Sequence, residues 1–311
     1  MTQPPGPQGP PSPQSSQPPG SQRPGSPHTH ALPRDCGPSG STAGALAAPR
    51  PGRVRAFYAG NARAVVARGL QVFRHNNFIL IATGVLEPIL YLLAMGLGLG
   101  SLIGSVDYEG QTISYAAYIA PALLAASAMN GAVMDSTVNV FFRLKHGRLY
   151  EAMLTTSLGP LDVALGEILM AVFRGFLYAC GFVAVMFALG LLASPWSLTA
   201  LGVAMLMAFA FASIGMGITS FFSGWYQLDW IFVILQPLFL FSATFYPIDV
   251  YPAAVQWVVQ ALPLWHGVEL MRLTVLDAAT SPAWIHIVYF AGMIVIGVAL
   301  TSTRLQKLFL R

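Results

Sequence analysis

Charge is the first thing this sequence lacks. Only 9% of its 311 residues are Asp, Glu, Lys or Arg, against 55% hydrophobic residues, aromatics included. Soluble domains carry roughly 25% charged residues, so this chain has too little polar surface to face water on all sides. A water-soluble globular protein is excluded, and an integral membrane protein is left. Lysine is nearly absent, with Lys145 and Lys307 the only two. No Gly-x-x-x-x-Gly-Lys-Ser/Thr occurs, so the chain has no P-loop to cradle nucleotide phosphates. Cysteine is as scarce. Cys36 lies in a proline-rich stretch and Cys180 in an apolar run, which gives neither a disulfide framework nor zinc spacing. His28, His30, His75, His146, His266 and His286 are scattered. There is no His-Glu-x-x-His, no Gly-x-Ser-x-Gly and no His/Cys cluster at metal spacing. No catalytic residue and no metal site are therefore assigned. The opening "MTQPPGPQGPPSPQ" has neither the charged nor the apolar region of a secretory signal, and no such signal is expected.

What is present falls into three kinds of segment. Residues 1–52 are Pro, Gly, Ser and Gln with few apolar side chains, and cannot bury enough surface to offset their ordering entropy. They are expected to form a disordered tail. Residues 54–74 interleave Arg55, Arg63, Arg68 and Arg74 with Phe57, Tyr58, Val65, Val66, Leu70 and Phe73. That is the basic amphipathic pattern of a helix lying on anionic lipid, with a soluble-facing helix as the alternative. Six apolar runs follow, at 78–103, 113–141, 161–191, 197–222, 228–246 and 283–303. Each is long enough to cross a bilayer core at 1.5 Å rise per residue.

Orientation is read from the short connections. Arg53, Arg55, Arg63, Arg68 and Arg74 precede the first run, Arg143, Lys145 and Arg148 follow the second, and Arg304, Lys307 and Arg311 follow the last. In a six-span layout these fall on one side, whereas the other side holds only Arg272 among basic residues. The positive-inside rule then places both termini in the cytoplasm.

Polar residues inside apolar runs are costly unless paired or facing a wet cavity. Glu87, Asp135, Glu167, Arg174 and Gln236 are such residues. Arg174 is expected to pair with Glu87, Asp135 or Glu167, either as glue between helices or along a substrate route. Gln236-Pro237 is expected to break the fifth run. The glycines of "MGLGLGSLIG" suggest a close helix seam.

The stretch from Phe245 to Arg272 is too apolar for a loop and too interrupted to span. Gln256 and Gln260 share one helical face, and Val255, Val258, Val259 and Leu262 the other, until Pro263 ends the helix. "LWHGVELMRL" reads as a second short helix, in which His266 and Glu269 are three apart and within reach. Two such helices either dip into the outer leaflet as a hairpin or merely cover the spans. At the opposite side, 143–160 is basic and then helix-forming, either a handle for a partner or a solvated loop.

"GRLYEAMLTTSL" (147–158), "EPILYL" (87–92), "FLFSATFYPID" (239–249) and "LPLWHGVELMR" (262–272) stand in an order and spacing that resemble the ABC-2 type transporter permeases. Within them, the resemblance is to the NodJ/DrrB-like lipo-oligosaccharide and drug exporters, and it covers roughly residues 57–311. It implies an all-α integral membrane fold with six transmembrane helices, an interfacial helix and a re-entrant hairpin at 247–274 before the last span. The transmembrane domain would be 53–311. The resemblance makes 143–160 a coupling helix, with Tyr150, Glu151 and Leu154 against an ATPase. It makes Gln256, Gln260, His266, Glu269 and Arg272 part of an outer gate. The implied partners are a separate ABC ATPase carrying ATP and Mg, a second permease subunit (identical or related), membrane lipid and an amphiphilic substrate. No cofactor would be bound by this chain, and nucleic acid is not an expected partner. The expected setting is a bacterial plasma membrane. The alternative is an ion-gradient-coupled secondary transporter using Glu87, Asp135 and Glu167.

Overall fold

A computed structural model describes residues 60–76, 78–145, 150, 153, 158–192, 195–276 and 282–309. The proposed tail lies outside them. Helix α1 runs over Ala62–Asn76, and residues 54–59 of the expected 54–74 helix lie outside the described residues. Gly60 sets this start, because its φ of +78° is left-handed and cannot continue a helix backwards. Val65, on the inner face of α1, is buried against Gly166, where a Cβ would come within 2.4 Å of the Val65 side chain.

Helix α2, Phe78–Leu93, continues through a wide π turn, Ala94–Leu99, to Ile103. A short antiparallel hairpin follows, β1 (Ser105–Tyr108) and β2 (Gln111–Ser114). Its two-residue turn, Glu109-Gly110, has φ of 50° and 75°. Positive φ at both positions suits the right-handed twist of paired strands. Helix α3 is a 31-residue rod, Tyr115–Lys145, with a second π turn at Asp135–Asn139. The Ser114 side chain caps its start by accepting from the Ala117 amide.

Helix α4 is Pro160–Ala188. Asp162 caps its first turn by accepting from the Gly159 amide, and it also accepts from the Asn61 amide ahead of α1. The helix ends at Gly190, φ +68°, with Gly190 N–H bonded to Phe187 O and Leu191 N–H to Met186 O. These two bonds use carbonyls that a helix end otherwise leaves unpaired. Helix α5 is Ala200–Thr219. Helix α6, Asp229–Phe241, is led in by a 3-10 turn at Trp225–Leu228. Helices α7 (Ala253–Ala261) and α8 (Pro263–Leu276) follow one another across Leu262, and α9 is Ala283–Phe309.

Among the described residues, five helical stretches are long and apolar enough to cross a membrane: Leu86–Ile103 within α2, α3, α4, Ser197–Thr219 with α5, and the bulk of α9. Trp225–Phe241 is apolar but shorter. Its two ends still reach opposite ends of the bundle. The Trp225 ring lies 4.8 Å from that of Phe142 near the close of α3, while the Ala243 carbonyl meets Arg272 in α8. Pro237 does not break α6, which runs on to Phe241. The break comes instead at Ser242 and Ala243, where φ of +53° turns the chain away. A proline survives inside an apolar helix when neighbours re-satisfy the freed backbone.

Helix α3 is the centre of the bundle, buried almost throughout from Tyr118 to Val133. The glycine run makes a close seam at one of its members: a Cβ on Gly96 would come within 3.1 Å of Ala116 at the start of α3, whereas one on Gly98 or Gly104 would meet nothing within 4 Å. Tighter approaches lie elsewhere: a Cβ on Gly297 would come within 2.5 Å of Ser213 backbone, and one on Gly131 within 2.5 Å of the Tyr178 ring. Helices α9 and α5 thus meet backbone to backbone.

Candidate functional site

The polar residues of the apolar helices gather in three places. The first lies where α1, the end of α3 and the start of α4 converge. Glu167 is buried and accepts from Arg68 of α1 at 3.2 Å and from Arg143 of α3. Asp135, equally buried, pairs with Arg174 at 3.2 Å and stands 4.0 Å from Arg143. Arg143 thereby links the two carboxylates. Asn139, on the π turn, donates to Asp135. Of the three partners open to Arg174 from sequence, the structure selects Asp135. Arg68 and Arg143, which the sequence read as surface charge, were missed as members. Nothing in an isolated amphipathic pattern says which turn of α1 meets α4. The small residues Gly69 and Gly166 were the available signal, since a short side chain marks a place for close approach.

Tyr150 is wholly buried beside this cluster, and burial pushes its phenol well above its ordinary pKa. Its neighbours Glu151 and Leu154, also expected to face an ATPase, lie outside the described residues.

The second place is a cavity of about 480 Å³ between α2, α3, α4 and α6. Glu87 and Gln236 both line it, with Asn130 and Tyr178 on the wall between it and the Asp135–Arg174 pair. So the structure separates the five intramembrane polar residues into two groups, Asp135, Glu167 and Arg174 in an ion cluster, and Glu87 and Gln236 in a cavity.

The third place is the opposite end of the bundle. Arg272 is 1% exposed, the bulkiest fully buried side chain described. It donates to Glu269 at 3.3 Å and to the Ala243 carbonyl at 2.7 Å. Its guanidinium sits over the Tyr118 ring at 4.2 Å and the Tyr108 ring at 5.2 Å. The Tyr108 hydroxyl donates to Glu269 at 3.2 Å, which ties the β-hairpin to α8. A buried ion pair needs its remaining donors and acceptors satisfied; the carbonyl and the aromatic faces meet part of that need here, while Arg272 Nε finds no hydrogen-bond partner among the described residues.

His266 is three residues from Glu269, but its ring bonds His286 of α9, with the two Nδ1 atoms 2.7 Å apart. It also stacks on Tyr289, ring centroids 3.9 Å apart. Gln256 donates to the Tyr251 carbonyl and, like Gln260, is half buried. The expected two faces of α7 are revised accordingly. Val255 and Val259 turn inward with the glutamines, while Trp257 and Val258 are exposed, 76% and 62%. An apolar outward face is what a helix shows to lipid rather than to water. Tyr108, Tyr118, Ala243 and His286 were not picked out from sequence, because their partners lie far away in the chain.

A family model described as ABC-2 type transporter matches residues 61–276, from the start of α1 to the end of α8. The chain belongs to the ABC-2 type transporter family. Among individual relatives, Nodulation protein J of Rhizobium leguminosarum bv. viciae is 30% identical over 78% of this chain and 95% of its own. Nodulation protein J of R. leguminosarum bv. trifolii is 32% identical over 72% of this chain and 85% of its own. The namesake in Sinorhizobium fredii is 31% identical over 72% and 84%. As an ABC-2 type protein the chain is a multi-pass membrane subunit of a transport system. Among its described residues, no group of three or more His, Cys, Asp or Glu is placed to hold a metal.

Proposed function

We propose that this chain is the permease subunit of an ATP-driven exporter that moves an amphiphilic substrate across a bacterial plasma membrane. A separate ABC ATPase supplies ATP and Mg, and a second permease subunit, identical or related, completes the path. The observation that carries this reading is the family match across α1 to α8 in a sequence with no phosphate-binding loop of its own. The substrate is a drug, a glycolipid or a lipid-linked saccharide. Such molecules suit walls made of aromatic and aliphatic side chains with few polar groups.

The chain crosses the membrane six times with both termini in the cytoplasm. Helix α6 serves as the fifth crossing, with its 3-10 lead-in giving a rod of about 27 Å. Residues 143–160 form the coupling segment, in which Glu151 and Leu154 meet the ATPase and Tyr150, wholly buried, holds the segment against the bundle instead of touching the partner. Residues 247–274 form the re-entrant outer gate, with Gln256, Gln260, His266, Glu269 and Arg272 as its polar members. ATP binding closes the ATPases, moves the coupling segments and shifts the spans between two arrangements. The ligand can bias these only through its different affinity for each.

The test is gentle detergent purification of the tagged chain from its host, followed by mass spectrometry of what accompanies it. A stoichiometric Walker-motif ATPase is expected, and Glu151→Arg is expected to lose it while still inserting in the membrane. A chain that stays alone when candidate ATPases are co-expressed overturns the reading in favour of ion-gradient coupling. For the gate, replacing Gln256 and Gln260 by Leu is expected to change export in vesicles and leave ATPase assembly intact.

A further inference from the structure

The cavity between α2, α3, α4 and α6 has an uneven chemistry. Its wall carries one charged side chain, the Glu87 carboxylate. Asp135, Glu167 and Arg174 belong to ion pairs elsewhere, but no hydrogen bond or ion pair reaches Glu87 among the described residues. Around it stand aromatic rings, Tyr91, Tyr178, Phe232 and Phe239, and the neutral amides of Asn130 and Gln236. A second recess of about 720 Å³ adjoins it and shares Tyr91, Gln236 and Phe239. That recess is almost wholly apolar and runs between α2 and α6 toward Ile103 and Phe245, at the β-hairpin end. The two together form an open, carboxylate-bearing head site, in which Glu87 is exposed, and an apolar recess adjoining it.

A carboxylate at membrane depth with no partner is costly, and a cation that docks beside it removes the cost. Aromatic faces attract the same cation through the ring quadrupole. A zwitterion or anion would bring negative charge toward Glu87 with no basic residue on the wall to offset it. We propose that the exported amphiphile carries a positively charged amine, which binds Glu87 while its apolar body lies in the recess between α2 and α6. This rests on the exporter reading and narrows it to cationic amphiphiles.

The experiment uses the full chain in zwitterionic-lipid nanodiscs and three fluorescent probes with the same alkyl body. Their heads are a primary ammonium, a neutral hydroxyl and a sulfonate, and empty nanodiscs correct for partition into lipid. The wild type is expected to bind the ammonium probe at least about tenfold more tightly than the hydroxyl probe, or about 1.4 kcal/mol, and the sulfonate least. Glu87→Gln is expected to weaken the ammonium probe until it matches the hydroxyl probe, and Glu87→Lys to reverse the order toward sulfonate. Equal binding of the three probes by wild type overturns the proposal, as does Glu87→Gln that keeps the ammonium preference. Loss of a co-purifying second permease in Glu87→Gln, with probe affinities unmoved, overturns it too, since the carboxylate then serves subunit contact. Recruitment of an ATPase is read separately. Its failure with the ammonium preference intact removes the exporter reading and leaves the binding site standing.

Discussion

The two ends of the bundle each hold buried carboxylates against arginine, and they solve the problem differently. At the β-hairpin end, Glu269 and Arg272 are 2% and 1% exposed and enclosed by two tyrosine rings and one backbone carbonyl. At the other end, Glu167 is shared by Arg68 and Arg143, whose side chains are 34% and 26% exposed. The first arrangement is sealed, with one cation and no substitute. The second is partly open to solvent and redundant, with three arginines serving two carboxylates. A sealed pair fixes one geometry, because losing either member strands the other in a dry site. A redundant, half-open cluster can exchange partners at small cost. That difference suits a rigid cap at one end and a movable joint at the end where α1, α3 and α4 meet.

The largest effect is expected from Arg272→Ala. It strands Glu269 and releases Ala243 from its only described side-chain donor. A loss of about 3–5 kcal/mol is expected, seen as a large drop in melting temperature of the purified protein. A shift of only a degree or two would mean that the sealed end is not a clamp. Next comes Glu167→Gln, which leaves Arg68 and Arg143 without their shared carboxylate. Here about 1.5–3 kcal/mol is expected, because charge-assisted bonds are lost but both cations can turn toward solvent. Protease accessibility of α1 is the sharper readout, and unchanged cleavage would argue against its anchoring through Glu167. The smallest effect is expected from Arg68→Ala, about 0–1 kcal/mol, since Arg143 still serves Glu167. Raising salt should shrink this small difference and leave the Arg272→Ala deficit in place, since only exposed charges are well screened. If Arg68→Ala proves as damaging as Arg272→Ala, redundancy is not what the open end provides.

Legibility from sequence followed the range of each signal. The long apolar helices could be read directly, because span length is a property of consecutive residues. The Pro263 junction was equally plain: Leu262 is extended, ψ 133°, as a residue before proline prefers, and α8 begins at the proline itself. Asp135–Arg174 was within reach as one of three options, since opposite charges at depth have to find each other. The β-hairpin was overlooked although Glu109-Gly110 sits at its turn, because four-residue strands carry little alternation to read. The faces of α7 came out differently because they were sorted by polarity alone, which put Val258 with Val255 and Val259 and against the glutamines. Against lipid, Trp257 and Val258 can face out while Gln256 turns in to a backbone carbonyl. The Arg272 enclosure was illegible for another reason. It joins residues more than a hundred positions apart, and no local pattern encodes such a meeting.

The wide turns at Ala94–Leu99 and Asp135–Asn139 carry a consequence for how this chain can vary in length. A π turn houses one residue more than an α turn while the helix on either side keeps its course. Deleting one residue from Asp135–Asn139 would therefore tighten that turn without rotating Arg143 away from Glu167. A deletion about three turns earlier, in the tightly packed stretch around Ala125, would swing every later side chain about 100° around the axis. These two turns are thus slack in an otherwise fixed rod, the places where an insertion or deletion can be absorbed.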